Sequence, residues 1–243
     1  MSAELRVIPV TGMPEVSEGT KLGELIAARV ELQSGDVVVI SQKAVSKAEG
    51  QVRRLSEVEP SQRARELADQ LGKEAALVEL VLSESREVLR AERDVLITET
   101  HHGFVCANAG IDSSNLPDED TVCLLPEDPD ASARRIRAET GAAVVIADSF
   151  GRAWRLGQAE VAIGCAGLMP LDDWRGRTDA AGRELKATAI AIADEVAAAA
   201  DLVRTKDSGI PAAVVRGLGR YVTAEDGPGA AALRRPPTED LFR

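Results

Sequence analysis

Two runs constrain this chain most: Val37-Val38-Val39-Ile40 and Val144-Val145-Ile146-Ala147. Successive strand residues point to opposite faces of a sheet, so a run with no polar member offers neither face to water. Each run is therefore predicted as a buried strand, the first introduced by the Gly35-Asp36 turn and the second ending at Asp148.

The remaining elements are read around these two. Val7–Val10 is predicted as a short strand, and Leu22, Leu25, Ile26 and Val30 fall at the three-and-four spacing of an amphipathic helix. The same spacing predicts helices over Ser61–Leu71 and Glu74–Leu82, and a helix is read over Ala131–Glu139. Short strands are expected at Glu87–Leu89, Val95–Thr98, Phe104–Ala107, Thr121–Leu125 and Ala212–Val215. Ala159–Leu168 alternates small and apolar residues and reads as a strand or a tight glycine turn, while alanine-rich Ala187–Val203 reads as one long helix. The proline-containing tail reads as loop. Helices and strands mix without a βαβ rhythm, so the expected class is α+β.

Composition excludes several kinds of function. With 29 Lys+Arg against 40 Asp+Glu, the net charge is −11, opposite to what nucleic acid or an anionic membrane attracts. Aromatic residues at 2% leave little for stacking on bases. Cys106, Cys123 and Cys165 form neither a disulfide framework nor a thiolate metal motif. There is no basic-then-apolar leader at the start, and no apolar stretch approaches bilayer length. A cytoplasmic protein without nucleic-acid or membrane partners is expected, and any polyanionic ligand must find a local basic pocket or a metal.

Familiar phosphate and hydrolase signatures are missing: the chain has no GxxxxGK[ST], no GxGxxG and no GxSxG. The sole histidines, His101 and His102, read as surface residues or makers of one local hydrogen bond. Three other segments carry chemistry. Asn108-Ala109-Gly110-Ile111-Asp112-Ser113-Ser114-Asn115 presents hard oxygen donors after a strand, suited to Mg²⁺ or Mn²⁺ or to a self-stabilised Asx turn. Asp148-Ser149-Phe150-Gly151-Arg152-Ala153-Trp154-Arg155 delivers an acid and a hydroxyl at a strand end, then two arginines, which fits metal and phosphate binding or a structural ion pair. Gln42-Lys43-Ala44-Val45-Ser46-Lys47 holds two of the six lysines in the chain and reads as a triphosphate pocket or a solvated turn. Together these strand ends hold the inventory of metal-assisted phosphoryl transfer.

These segments, with Pro9–Glu15, Val45–Gly50, Gly103–Asn115, Asp148–Arg155, Ala197–Leu202 and Pro211–Gly217 in order, resemble the coenzyme F-420 gamma-glutamyl ligases from about Leu5 to Phe242. The resemblance implies a two-lobed α+β chain, one ligase unit over residues 5–243, forming an intertwined homodimer. It implies addition of L-glutamate to coenzyme F-420-0, and to the resulting glutamyl product, at the expense of GTP through an acyl phosphate. Carried over motif by motif, Met13, Pro14, Glu15, Val16, Gln42, Lys43, Lys47 and Asn115 would contact the nucleotide. Asp112 and Asp148 would hold the metals, two Mg²⁺ or Mn²⁺, with Ser149 on the second and K⁺ as a further cation. The loop around Arg204–Pro211 would also contact the nucleotide; in it Lys206 stands near where a metal ligand would be sought, and an ammonium cannot coordinate a cation. Arg152 and Arg155 are our own additions, expected to clamp the phosphodiester or the acyl phosphate. Rival readings of the same residues are a metal-dependent nucleotide phosphohydrolase or nucleotidyltransferase and a non-catalytic nucleotide or deazaflavin binding protein.

Overall fold

The two apolar runs lie side by side as the parallel core of the main sheet. In the computed structural model, which describes residues 4–240 apart from 115 and 117, five strands take the spatial order β1 (Arg6–Pro9), β12 (Ala212–Arg216), β2 (Val37–Ser41), β8 (Ala143–Arg152) and β9 (Arg155–Ala166). Only β2 and β8 run parallel, pairing Val37 with Ala143 and Ser41 with Ala147; the other neighbours are antiparallel.

The absence of polar residues over Val37–Ile40 of β2 follows from cover on both faces. Val38 and Ile40 pack with Val144 and Ile146 against Leu22 and Ile26 of α1 (Leu22–Ala27) and Ala133 and Ile136 of α5 (Pro129–Thr140). Val37 and Val39 point the other way with Val145 and Ala147, under Ile192, Ala193, Val196 and Ala197 of α6 (Ile192–Asp201). Each fully buried aliphatic side chain of this kind contributes roughly 1.5–3 kcal/mol, so both layers are needed to hold the sheet.

A second, smaller lobe is inserted between β2 and β8. After α2 (Gln42–Ala48) the chain leaves through β3 (Val52–Arg54) and returns through β7 (Thr121–Cys123), which pair antiparallel as a neck. Between them, α3 (Gln62–Leu71) and α4 (Ala75–Ser83) pack on the antiparallel sheet of β4 (Ser85–Glu92), β5 (Val95–Thr100) and β6 (Val105–Ala107). Ala64, Ala68, Leu71, Val78, Val81 and Leu96 form its separate core. The molecule is thus a two-lobed α+β fold, as expected.

Local signals explain the helix limits. Ser61 accepts a hydrogen bond from the Ala64 amide and Gly72 ends α3 in the left-handed region. Asp128 caps α5 through the Ala131 amide, with Pro129 at the first helical position. Gly164 serves a different purpose: a Cβ there would lie 2.3 Å from the Pro129 carbonyl oxygen, so its lack of side chain lets the start of α5 sit directly on β9.

Two predicted elements need correction. The long helix over Ala187–Val203 is shorter: Ala189–Ile190 forms β11, paired with β10 (Asp172–Asp173), and helix begins only at Ile192. Alanine propensity is a weak preference, and pairing with Asp172 overrides it. The strand expected to end at Asp148 continues to Arg152, because β9 turns back on it and supplies backbone partners throughout. α2 and β3 went unpredicted; seven and three residues leave little periodicity to read.

Candidate active site

The chain leaves β2 and β8 at their carboxyl ends, and the small lobe emerges at the same place. Between the lobes lies a cleft of about 820 Å³. Pro14, Glu15, Val16, Gln42, Lys43, Lys47, Asp112, Asp148 and Ser149 all line it, so four segments far apart in sequence meet in one cleft. Met13 instead packs half-buried against the core, and Asn115 lies outside the described residues.

Asp112 comes from the returning chain of the small lobe, fixed by backbone hydrogen bonds to Cys123 in both directions, at 3.1 and 2.8 Å. Gly110, two residues before it, has φ +72°, and a Cβ there would meet the Leu125 side chain at 2.8 Å, so glycine is required for the loop to reach the cleft. The Asp112 carboxylate accepts from the Ser114 amide at 2.7 Å and pairs with the Lys43 ammonium at 2.8 Å. Burial alone would raise its pKa, but the hydrogen bonds from Lys43 and Ser114 outweigh it and hold the group below the ordinary carboxylate value. The Asx turn and the charged site are therefore one arrangement.

Asp148 behaves oppositely. Its carboxylate accepts from the Ser149 amide at 2.9 Å. Burial, reinforced by the charges of Glu160 and Asp112, lifts its pKa from 3.8 to about 7. Two neighbouring carboxylates in unlike environments form a locus where added positive charge is strongly favoured.

Glu160 is a residue that sequence reading missed, and Arg204 was met only as the start of the loop Arg204–Pro211, which lines the same cleft. Glu160 faces Ser149 across the β8–β9 ladder and accepts from its hydroxyl at 2.6 Å. Its other oxygen pairs with the Arg204 guanidinium at 3.2 Å, with side chains 5% and 4% exposed. The available signal was an acid in a strand otherwise small and apolar on its inner half. A bulge between the Ile146 and Ala147 pairings sits just below this level, a common device for re-aiming side chains beside a site.

Several expected residues have defined local duties. Lys47 pairs with Glu15 at 2.6 Å. The Gln42 amide nitrogen is buried and donates to Ser46 Oγ at 2.7 Å and the Leu124 carbonyl at 2.8 Å, bolting α2 to the strand leading from the neck. The histidines correct the expectation of one local hydrogen bond: exposed His101 contacts the Ser83 carbonyl and half-buried His102 the Pro126 and Glu127 carbonyls, all distant in sequence, so the expected surface position holds for His101 alone. Arg152 and Arg155 pair across the turn at the tip of the β8–β9 hairpin, outside the cleft wall of their own chain. Trp154 and Leu156 beside them are 83% and 98% exposed.

A cleft lined by acids and lysines from several distant segments narrows the family, and the sequence decides it. Residues 11–217 match the family described as F420-0:Gamma-glutamyl ligase. The chain belongs to the F420-0:gamma-glutamyl ligase family. It is similar to the coenzyme F420:L-glutamate ligase of Methanothermobacter thermautotrophicus, 44% identical over 98% of this chain and 99% of that protein. The proteins of the same name from Methanopyrus kandleri, at 44% identity over 98% of both chains, and Archaeoglobus fulgidus, at 46% over 88% of both, align comparably. Within this F420-0:gamma-glutamyl ligase family chain, the matched stretch contains both strand ends, α2, the whole small lobe and the β8–β9 hairpin.

The donor set also meets the demands of a divalent ion. Among the described residues no three His, Cys, Asp or Glu side chains close into a preformed metal cage. Mg²⁺ and its relatives are commonly held by one or two carboxylates, with substrate phosphate and water completing the shell. The Asp112–Asp148 pair, negatively charged and set in a cleft wall with Lys43 and Lys47, fits that second kind of site. Among the described residues no helix is long and apolar enough to cross a membrane.

Proposed function

We propose that this chain joins L-glutamate to coenzyme F420-0, and to the resulting glutamyl product, using GTP and a divalent metal. Family membership supports the reaction, and the convergence of Asp112, Asp148, Lys43 and Lys47 on one cleft supports the phosphoryl chemistry. That convergence is the single observation that carries the reading.

A carboxylate at neutral pH is a poor acyl donor, since oxide is not a leaving group. The γ-phosphoryl of GTP moves to the acceptor carboxylate oxygen, breaking the β–γ bridge and releasing GDP. The glutamate amine then attacks the acyl carbon, the C–O bond to phosphate breaks, and the ammonium proton passes to phosphate or water. A divalent cation held by Asp112 and Asp148 would neutralise charge on the moving phosphoryl group. Lys43 and Lys47 supply fixed positive charge beside it in the same cleft, and the lobes flank the reacting groups on two sides. Pro14, Glu15 and Val16 line the cleft beside Lys47.

The homodimer and the arginine clamp belong to one reading. The hairpin tip carries exposed Trp154 and Leu156, apolar surface suited to cover by a second copy. Arg152 and Arg155 on that tip reach phosphate only if it enters the cleft of a partner.

The deciding experiment measures GDP release and the glutamyl adduct by mass, with purified protein, L-glutamate, Mn²⁺ and GTP, with and without coenzyme F420-0. Both products rising together only in the complete mixture supports the ligase. GDP release without acceptor or amino acid overturns it in favour of a phosphohydrolase, and no turnover in any arm favours a binding protein.

A further inference from the structure

The wall holding Ser149 already carries a cation. Lys206, from the loop after α6, donates through Nζ to Ser149 Oγ at 2.6 Å and lies 3.6 Å from Glu160 Oε1. The Ser149 hydroxyl in turn donates to Glu160 Oε1 at 2.6 Å, so its oxygen lone pair faces the ammonium. The Lys206 side chain is 72% exposed, entering from the cleft mouth rather than from the core. The other Glu160 oxygen is held by buried Arg204.

These contacts divide the cleft into two electrostatic halves. At one end, Asp112 and Asp148 contribute two carboxylates; Lys43 contacts Asp112, and the Asp148 carboxylate accepts from the Ser149 amide. At the other, Ser149 and Glu160 are already engaged by Lys206 and Arg204. A dication bound to Ser149 Oγ would have to displace the ammonium or sit beside it, and like charges at that separation repel strongly. The first end sets two carboxylates against one cation, Lys43, whereas the second sets one carboxylate, Glu160, against both Arg204 and Lys206, so the donors fit a divalent ion at the first end and do not fit one at the second.

We infer that the Lys206 ammonium is a built-in monovalent cation occupying the place of the second divalent ion, so that this chain works with one divalent metal rather than two. The inference rests on the reading of Asp112 and Asp148 as the divalent-metal pair. Lys206 has the position to balance phosphate charge from the Ser149 side, as a metal there would.

The test counts bound Mn²⁺ per chain from the loss of the free-ion paramagnetic resonance signal, in the presence of a non-hydrolysable GTP analogue. The wild-type protein is expected to bind one ion, Lys206→Gln two, and Lys206→Arg one. Two ions bound by both the wild type and Lys206→Gln overturns the inference while leaving the metal reading intact. One ion in Lys206→Gln also overturns it, because removing the ammonium then opens no site. No Mn²⁺ bound by any of the three proteins removes the metal reading and the inference with it. An Asp148→Asn control, expected to bind none, identifies which end holds the wild-type ion.

Discussion

Ser149 and Glu160 stand directly opposite each other on β8 and β9, and the Ser149 hydroxyl donates to the Glu160 carboxylate at 2.6 Å. Through Glu160 the strand end is tied to Arg204, and through Arg204 to the Pro211 carbonyl at 3.3 Å. The loop after α6 and the end of β8 are therefore held by one buried carboxylate.

Removing that charge should be costly. Glu160→Gln leaves the Arg204 guanidinium buried without its counter-charge, in a pair whose side chains are 5% and 4% exposed. Loss of one partner from a buried pair costs about 3 kcal/mol. Chemical denaturation should show a drop of that size, and a midpoint unchanged from wild type would rule out a structural role for the pair.

Asp148 gives a pH-dependent signature. The folded group holds its proton to about pH 7, whereas the ordinary value is 3.8. Between these values the folded state binds more protons than the unfolded one, so this group's contribution to stability falls as pH rises and is lowest above pH 7. Metal-free Asp148→Asn should consequently be more stable than wild type at pH 8, by up to about 4 kcal/mol, with the advantage vanishing near pH 4. Glutamate ligation by the same variant should be abolished. Thermal unfolding at the two pH values checks the first part, and a variant less stable than wild type at pH 8 contradicts it.

Gly164 tests the packing that aligns the sheet with α5. A Cβ at this position would lie 2.3 Å from the Pro129 carbonyl oxygen, which is backbone and cannot swing aside. Gly164→Ala should destabilise the protein by about 1–3 kcal/mol, the usual range for overpacking. A melting temperature equal to wild type would mean that α5 shifts freely along β9.

The hairpin tip makes a joint prediction. If a second copy covers Trp154 and Leu156, Leu156→Asp should shift sedimentation toward monomer. Arg152→Ala and Arg155→Ala should then lower the ligation rate on the order of 10²- to 10³-fold, the typical loss of a transition-state charge contact. Activity within a few-fold of wild type in both arginine variants removes them from the mechanism.

Much of the site was legible because its chemistry sits at strand ends. Val37–Ile40 and Val144–Ala147 announce buried strands, and the residues directly after them, Gln42, Lys43, Asp148 and Ser149, line the cleft. Asp112 was legible through its glycine turn and flanking hydroxyls. Glu160 was not, since its role depends on the register that sets it against Ser149. Nor could the sequence show that the Gln42 amide nitrogen is used internally by Ser46 and Leu124, because Leu124 is distant in the chain.

What the sequence determined by itself follows from local physical rules. Uninterrupted apolar runs must be buried on both faces, caps and glycines limit helices, and acids and hydroxyls after a strand are presented at its end. What only the tertiary structure decided is which of these ends meet. Insertion of the small lobe between β2 and β8 brings Asp112 against Lys43 and beside Asp148, while the turn of β9 back onto β8 brings Glu160, and the loop after α6 brings Arg204 and Lys206, around Ser149. Such charges act over a few ångströms through a buried environment, and distance along the chain carries no information about that separation.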